Sequence, residues 1–346
     1  MEELKFPEGF KWGSATSAHQ IEGDNHNDWS EWEKTRPEEF RSGKACDSYN
    51  RYEEDFDIAK KLNQNIHRFS IEWSRIEPKE GKFDHEAMHH YVNVVKALRE
   101  RGIEPMVTLW HFTNPIWFAE KGGFLNVDSP KIFTRYAKYV VAHLKDRVGL
   151  WITFNEATTV WAGLSYLKGE WPPVHKNIFE FWKIRNNFIK AHTLAYQEIK
   201  NIYSDTSHNV AVGLVENNTY FSSSSFLKSL GVVKMLNWLQ TQAWLKTLPY
   251  QDFIGLNYYT DHKLFGSKES DNGPVPEMPP WRIYPKGIYY CLVMLKKFKK
   301  PIYVTENGIA DGKDEKREKF IKEHLQWVWQ AIHDGADVRG YMYWSL

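Results

Sequence analysis

The feature that most constrains this chain is an alternation, repeated eight times, between short apolar runs and longer amphipathic stretches. The short runs are rich in β-branched and aromatic residues and span residues 11–17, 65–71, 104–110, 150–155, 209–217, 252–259, 301–307 and 338–346. Longer stretches such as 84–101, 130–147, 178–199, 286–298 and 314–334 carry apolar residues at helical spacing. Strands that alternate with helices in this way are typical of a parallel sheet built from βα units.

Eight βα units in 346 residues predict a single α/β domain, residues 1–346, folded as a (β/α)8 barrel of the TIM type. A doubly wound open sheet is the rival architecture. It would carry a glycine-rich phosphate loop after its first strand, whereas Trp-Gly-Ser-Ala-Thr-Ser at 12–17 has neither that glycine pattern nor a Walker lysine.

No helical pattern follows the eighth apolar run. We therefore expect the barrel to lack its last crossover helix and to have an apolar groove beside its first and eighth strands. Two further stretches, 222–225 and 268–280, are rich in turn-forming residues and are expected to be surface loops.

Polar and aromatic side chains stand at the carboxyl-terminal ends of nearly all the predicted strands. They are Ser17, His19, Gln20, Arg68, Trp110, His111, Asn155, Glu156, Glu216, Asn217, Asn257, Tyr258, Tyr259, Glu306, Asn307 and Trp344. In an eight-stranded barrel those ends meet on one face, where the following loops form the pocket. A purely structural barrel gives no reason for such a concentration, so the sequence predicts a functional site on that face.

Two of these side chains, Glu156 and Glu306, are carboxylates that each follow an apolar strand. Glycoside hydrolysis needs such a pair, because one carboxyl protonates the departing oxygen while the other meets the oxocarbenium-like centre. Their separation would decide between retention, at about 5–5.5 Å, and inversion, at about 6.5–9.5 Å, and the residues alone leave that open. For either glutamate by itself, pairing with a neighbouring arginine or capping a helix is the simpler interpretation.

Several segments that carry these side chains resemble glycoside hydrolase family 1, in the same order along the chain. They are Phe-Pro-Glu-Gly-Phe-Lys-Trp-Gly (6–13), Ser-Ala-His-Gln-Ile-Glu-Gly (17–23), Arg-Phe-Ser-Ile-Glu-Trp-Ser-Arg-Ile (68–76), Thr-Phe-Asn-Glu (153–156), Asp-Phe-Ile-Gly-Leu-Asn-Tyr-Tyr (252–259), Val-Thr-Glu-Asn-Gly (304–308) and Tyr-Met-Tyr-Trp-Ser-Leu (341–346). The resemblance implies an O-glycosyl hydrolase, a retaining β-glycosidase that cleaves terminal β-D-glycosides of the glucoside or galactoside type. Its ligand would be a small-molecule β-glycoside or an oligosaccharide, and no cofactor or metal is expected.

The resemblance also implies the catalytic roles. Glu306 would attack the anomeric carbon as the nucleophile, and Glu156 would donate a proton to the leaving oxygen and later activate water. Arg68 and the Tyr259 hydroxyl would lie beside Glu306, where a cation and a hydrogen bond favour its ionised form. Asn257 would be a supporting residue. Glu156 has to stay protonated at working pH, which calls for burial or for repulsion from Glu306.

Sugar recognition is implied in the same way. Gln20 and His111 would hydrogen-bond sugar hydroxyls, and Asn155 would hold the 2-hydroxyl, whose hydrogen bond strengthens in the transition state. Trp344 would form the platform under the ring, and in relatives the peptide bond after this tryptophan is cis. Trp281 would either line the aglycone side or pack in the core or at the rim.

Two departures from the family pattern leave the preferred sugar open. Family members continue past Trp-Ser-Leu into an Asp-Asn-Phe-Glu-Trp segment whose glutamate binds the sugar's 4- and 6-hydroxyls, and this sequence offers no counterpart. The stretch 220–251 is also shorter than the family's usual fifth βα unit. An inactive or sugar-binding family member and a 6-phospho-β-glycosidase are therefore the alternatives.

The amino-acid composition limits the kinds of binding partner and the cellular compartment that we expect for this protein. The 45 basic residues nearly balance the 44 acidic ones, a net charge of +1, which argues against a nucleic-acid or anionic-membrane surface. No apolar run approaches the roughly 20 residues of a membrane span, and the charged start does not resemble a signal peptide. Because the only cysteines are Cys46 and Cys291, we predict a reducing compartment and thus a cytoplasmic protein. The oligomeric state is not indicated.

Overall fold

The computed structural model describes residues 4–223, 231–264, 274–278 and 281–346, and within them eight parallel strands close into a barrel. The barrel strands are β1 (Lys11–Ala15), β2 (Ile66–Ser70), β3 (Glu104–Trp110), β4 (Leu150–Asn155), β5 (Ala211–Asn217), β7 (Phe253–Asn257), β9 (Ile302–Asn307) and β10 (Val338–Trp344). A separate two-stranded parallel sheet consists of β6 (Tyr220–Ser222) and β8 (Asp261–Lys263). The predicted (β/α)8 barrel is confirmed, and the predicted strand ends differ from the observed ones by two residues at most.

Helices occupy most of the connections between these strands. The α-helices are Ala18–Ile21, Asp28–Glu33, Ser48–Lys61, Trp73–Ile76, His85–Glu100, Ile116–Glu120, Ser129–Leu144, Ile178–Tyr203, Val232–Leu245, Lys286–Lys296 and Arg317–His333. Short 3-10 turns lie at Glu38–Phe40, Gly123–Leu125 and Leu248–Tyr250, and π-helical turns lie at Ala157–Trp161 and Leu164–Lys168. All five predicted helices are present, with ends shifted by four residues at most.

Inside the barrel, one apolar side chain from each barrel strand joins a common cluster. This cluster consists of Ala15, Ile66, Met106, Ile152, Val215, Phe253, Tyr303 and Met342, all of them buried. Successive side chains of a strand point to opposite faces, so the neighbouring positions pack outward against the helices in a second, larger core. These two cores fix the strand register, and with it the side chains that emerge at the carboxyl-terminal ends of the strands.

The helix patterns have a local explanation as well. In His85–Glu100, the buried residues include Met88, Tyr91, Val95 and Leu98, which recur at helical spacing and pack on the sheet. Its first turn is capped by Asp84, whose carboxylate accepts hydrogen bonds from the backbone N–H groups of residues 86 and 87. Within the described ranges, no helix is both long and apolar enough to cross a membrane.

The loop predictions are only partly correct. Ser222 ends β6 instead of lying in a loop, while Ser224 and Ser225 lie outside the described residues. In the stretch 268–280, the described residues are 274–278, and Val275 is buried against Ile283, Ile309 and Phe320. The other four described residues of this stretch are exposed, as expected of a surface loop, whereas Val275 anchors the loop on a small apolar cluster.

Aromatic side chains lie on the outside of β1, where an open apolar groove is expected. Phe6, Phe10 and Trp12 pack against one another with ring centroids 4.6–4.9 Å apart. A cavity near the carboxyl-terminal end of β1 is lined by Phe56, Phe69 and Leu346 among others. The part of the groove that would run along β10 stays a prediction.

Candidate active site

Two carboxyl groups emerge at the same end of the barrel. Glu306 lies in β9, and Glu156 directly follows β4, where its backbone N–H donates to the Val215 carbonyl of β5 at 2.8 Å. Their exposed fractions are 4% and 5%. Burial of an ionised carboxylate is costly unless partners stabilise the charge, so the partners of each group decide which form it takes.

Glu306 has the partners of an ionised carboxylate. Its Oε1 accepts a hydrogen bond from Arg68 Nη1 at 2.6 Å, and its Oε2 accepts one from the Tyr259 hydroxyl at 2.5 Å. An adjacent guanidinium and a hydroxyl donor both favour the charged form. Each oxygen of Glu306 is thus held in place by a hydrogen bond, and such bonds are stronger when the acceptor is a charged carboxylate.

Arg68 connects this carboxylate to the other side of the pocket. This residue is fully buried, with an exposed fraction of 0%. Nε donates to the Thr108 hydroxyl at 3.1 Å, Nη1 also reaches the Thr305 carbonyl at 3.2 Å, and Nη2 donates to Asn155 Oδ1 at 2.7 Å. A buried cation needs such a set, since removing one partner of a buried ion pair leaves an uncompensated charge and costs about 3–5 kcal/mol.

Glu156 has a different environment. Its Oε1 accepts hydrogen bonds from the amides of Asn257 at 2.6 Å and Asn217 at 3.2 Å, and among the described residues it forms no salt bridge. Burial, and then the negative charge of Glu306, raise the pKa of Glu156 from 4.5 to about 8. Since both amides donate to Oε1, the proton of the neutral acid belongs on Oε2.

The backbone at Glu156 is also unusual. Its φ is +46°, in the left-handed region, which costs a residue other than glycine roughly 1–2 kcal/mol. The next residue begins the π-helical turn Ala157–Trp161, and such turns occur frequently at functional sites. The surrounding contacts therefore have to maintain a conformation that this segment would not adopt alone.

A chain of hydrogen bonds leads from Arg68 into the pocket. Because a guanidinium only donates, its contact with Asn155 Oδ1 fixes the orientation of that amide, and Asn155 Nδ2 then lies 3.2 Å from His111 Nε2. Burial, and then the charge of Arg68, lower the pKa of His111 well below 6.5, so the ring is neutral. If Nε2 accepts, Nδ1 carries the hydrogen, and Nδ1 is buried without a partner among the described residues.

The remaining predicted residues surround these groups to different degrees. The Trp344 ring is half-buried and stacks on His111 with centroids 5.6 Å apart, and the Trp344–Ser345 peptide bond is cis as expected. Trp281 packs at 5.6 Å from the Tyr259 ring. Gln20 is exposed on the short helix after β1 and accepts a hydrogen bond from the Ser17 hydroxyl. The structure thus brings Trp281 and Trp344 into contact with site residues, whereas Gln20 pairs locally.

Asn257 links the two halves of the site. Its Nδ2 donates to both Glu156 Oε1 and Asn155 Oδ1, the latter at 3.2 Å, while its Oδ1 accepts from the Thr305 hydroxyl at 2.7 Å. Sequence reasoning placed Asn257 at the end of its strand as a supporting residue and gave no role to Thr305. Nor did it assign a role to Asn217, although this residue was on the predicted face of the barrel.

A (β/α)8 barrel that holds two buried carboxyl groups in unlike surroundings at the carboxyl-terminal ends of its strands offers the pair of groups that glycoside hydrolysis needs. The glycosyl hydrolase family 1 model matches residues 2–248 and 227–346, and the chain belongs to this family of retaining β-glycosidases.

Relatives and solved structures agree with this assignment. The β-glycosidase from Pyrococcus horikoshii is 38% identical, with a TM-score of 0.88 over 99% of this chain and 85% of that one. The β-glucosidase from Thermotoga maritima in complex with deoxynojirimycin is 30% identical, with a TM-score of 0.89 over 99% and 90% of the two chains. A 6-phospho-β-galactosidase from Clostridium acetobutylicum is 30% identical over 99% of this chain and 88% of its own length.

Proposed function

We propose that this protein hydrolyses terminal β-D-glycosides of the glucoside or galactoside type by double displacement. The observation that carries the proposal is the contrast between two neighbouring carboxyl groups. Glu306 is held between a guanidinium and a phenol hydroxyl, whereas Glu156 is surrounded by amides and has its pKa raised to about 8. Two carboxyl groups in such unlike surroundings can supply a nucleophile and an acid at the same pH.

In the first step, a lone pair of the Glu306 carboxylate attacks the anomeric carbon as the bond to the leaving oxygen breaks. The proton on Glu156 Oε2 moves to that oxygen, so the aglycone departs as a neutral alcohol. In the second step, Glu156 takes a proton from water, and the resulting hydroxyl displaces Glu306 from the sugar. Arg68 and Tyr259 stabilise Glu306 when it carries charge, at the beginning and the end of the cycle.

We assign sugar binding to Gln20, His111, Asn155, Tyr259 and Trp344. The unpartnered Nδ1 of His111 can donate to a sugar hydroxyl, and Asn155 Nδ2 has a second hydrogen for the 2-hydroxyl. The half-buried Trp344 ring offers a flat apolar face to the pyranose. The deoxynojirimycin complex of the Thermotoga maritima relative supports a small-molecule sugar as the ligand, and Trp281, beside Tyr259, is proposed to line the aglycone side.

The substrate class can be tested by the release of 4-nitrophenol from its β-glucoside, its β-galactoside and the 6-phosphates of both. The expected result is turnover of at least one unphosphorylated substrate and none by the Glu306→Gln variant. Turnover confined to the 6-phosphates would replace the proposed substrates by phosphorylated glycosides, the class to which the substrate named for the Clostridium acetobutylicum 6-phospho-β-galactosidase belongs. Release no faster than with Glu306→Gln for all four would favour a protein that binds sugar without hydrolysing it.

The pH dependence follows from the state of Glu156. Its pKa is raised to about 8, so the fraction that carries the catalytic proton falls as the pH rises through this value. We expect kcat/KM for a substrate with a poor leaving group to decline above about pH 8 for that reason. Carboxyl NMR of the Glu306→Gln variant provides a check, since removing the neighbouring charge should lower the pKa of Glu156. An unchanged pKa of Glu156 in that variant would contradict the contribution assigned to the charge of Glu306.

The cysteines agree with a reducing compartment. Both thiols are free, Cys46 at the surface and Cys291 in the core. Free cysteines persist where disulfide formation is suppressed, and on this ground we propose that the protein acts in the cytoplasm.

A further inference from the structure

A third buried carboxyl group lies at the same end of the barrel, at Glu216 on β5. Its exposed fraction is 0%, and each of its oxygens accepts two hydrogen bonds. Oε1 accepts from the backbone N–H and the hydroxyl of Thr158 at 3.2 and 2.6 Å. Oε2 accepts from the same two groups of Thr159 at 3.1 and 2.5 Å. The hydrolytic cycle as described makes no use of this group.

The bonds of Glu216 end on the turn that starts directly after Glu156. The first N–H groups of a helical turn have no partner inside the turn, and Thr158 and Thr159 belong to the first residues of Ala157–Trp161. A carboxylate has acceptors for all four donors at once, whereas a glutamine side chain of the same size has only one oxygen and brings two donors of its own. The site therefore matches a carboxylate in particular.

Neighbouring residues of β5 hold other parts of the same segment. The Val215 carbonyl accepts the backbone N–H of Glu156 at 2.8 Å, and the Asn217 amide donates to its carboxyl group at 3.2 Å. Three consecutive residues, Val215, Glu216 and Asn217, thus contact the backbone of Glu156, the turn that follows it and its side chain. This turn has to sustain the positive φ of Glu156.

We propose that Glu216 is a positioning residue for Glu156: it fixes the turn at Thr158 and Thr159 and thereby aims the acid at the leaving oxygen. This inference rests on the proposed role of Glu156 as the acid/base. A misdirected acid harms the reaction only when the leaving group needs its proton. The loss of activity on substituting Glu216 should accordingly depend on the leaving group. A residue that contributed to folding alone would cause the same loss for every leaving group.

The test compares Glu216→Gln with the wild type on a series of aryl β-glycosides from 2,4-dinitrophenyl to phenyl. We expect kcat/KM to fall about 10-fold for the phenyl glycoside and less than about 2-fold for the dinitrophenyl one. The two substrates should differ because only the phenyl leaving group needs a proton from a correctly placed Glu156. The double variant Thr158→Val/Thr159→Val removes the hydroxyl donors and should give the same pattern. In a Glu156→Gln background, Glu216→Gln should cause no further loss, because residues that act through one group are not additive.

Glu77→Gln is the matched control. Its carboxyl group is equally buried and accepts hydrogen bonds from the Trp73 indole and the Gly81 backbone, neither of which contacts Glu156. Unlike Glu216, it also pairs with Arg135, so its loss of stability should be at least as large. This variant should lose stability without any dependence of its activity on the leaving group. A uniform loss across the series in Glu216→Gln, or an additional loss in the Glu156→Gln background, would overturn the positioning role. Absence of turnover by the wild type would instead overturn the proposed function.

Discussion

The Glu306→Gln variant is expected to lose hydrolysis of every β-glycoside by at least about 10⁴-fold, since the reaction loses both its nucleophile and the charge that faces the oxocarbenium-like centre. The loss should not vary with the leaving group, because attack on the anomeric carbon fails for all of them. The substituted amide would also face Arg68, which has its shortest contact with this side chain. Steady-state rates and burst kinetics with 2,4-dinitrophenyl glycosides measure the effect.

A direct measurement of the same role is covalent trapping. A 2-deoxy-2-fluoro glycoside with a good leaving group should raise the mass of the wild type by one glycosyl unit and place the label on the peptide that contains Glu306. The matched control is Glu72→Gln, a buried strand-end carboxyl group whose oxygens accept from the hydroxyls of Ser74 and Thr113. This control should be labelled normally. Labelling of another carboxyl group would refute Glu306 as the nucleophile.

The Glu156→Gln variant should show the complementary behaviour. We expect kcat/KM to fall by about 10²–10⁴-fold for phenyl glycosides, which need a proton on the departing oxygen. With 2,4-dinitrophenyl glycosides the first step should proceed nearly as in the wild type, because that anion leaves without protonation. The second step then lacks its base, so the glycosyl-enzyme should accumulate, and both kcat and KM for this substrate should fall.

Added azide distinguishes this interpretation from general damage to the site. As an anionic nucleophile it needs no base, so it should restore kcat of Glu156→Gln with the dinitrophenyl substrate and yield a glycosyl azide. It should leave Glu306→Gln inactive, since no glycosyl-enzyme forms there. If both variants lose the same activity on every substrate and neither responds to azide, the assignment of roles to the two carboxyl groups is wrong.

The sequence was sufficient to predict the barrel and to place two glutamates at one end of it. Alternating apolar runs predict strands whose partners are set by chain order, and a barrel turns eight strand ends into one site. Glu156 and Glu306 could therefore be predicted to lie on the same face of the barrel before any distance between them was known. The family motifs then placed Arg68 and Tyr259 beside Glu306, where the structure has them.

Other features depend on contacts that no local pattern encodes. Glu216 ends a strand like the two catalytic candidates, and its pairing with Thr158 and Thr159 appears only once β4 and β5 are side by side. The contact between Asn217 and Glu156 has the same origin. The two-stranded sheet of β6 and β8 joins segments of three residues each, too short for a periodicity to be recognised.

The orientation of the Asn155 amide has a further consequence for which ligands fit. Arg68 can only donate, so Asn155 turns its nitrogen to His111, and His111 in turn presents a hydrogen at Nδ1. One buried cation thus makes this wall of the pocket a set of hydrogen-bond donors, and a sugar bound there would be recognised by its oxygen lone pairs. A fluorine or ether oxygen at these positions keeps an acceptor, whereas an ammonium group would place hydrogen against hydrogen and charge beside Arg68.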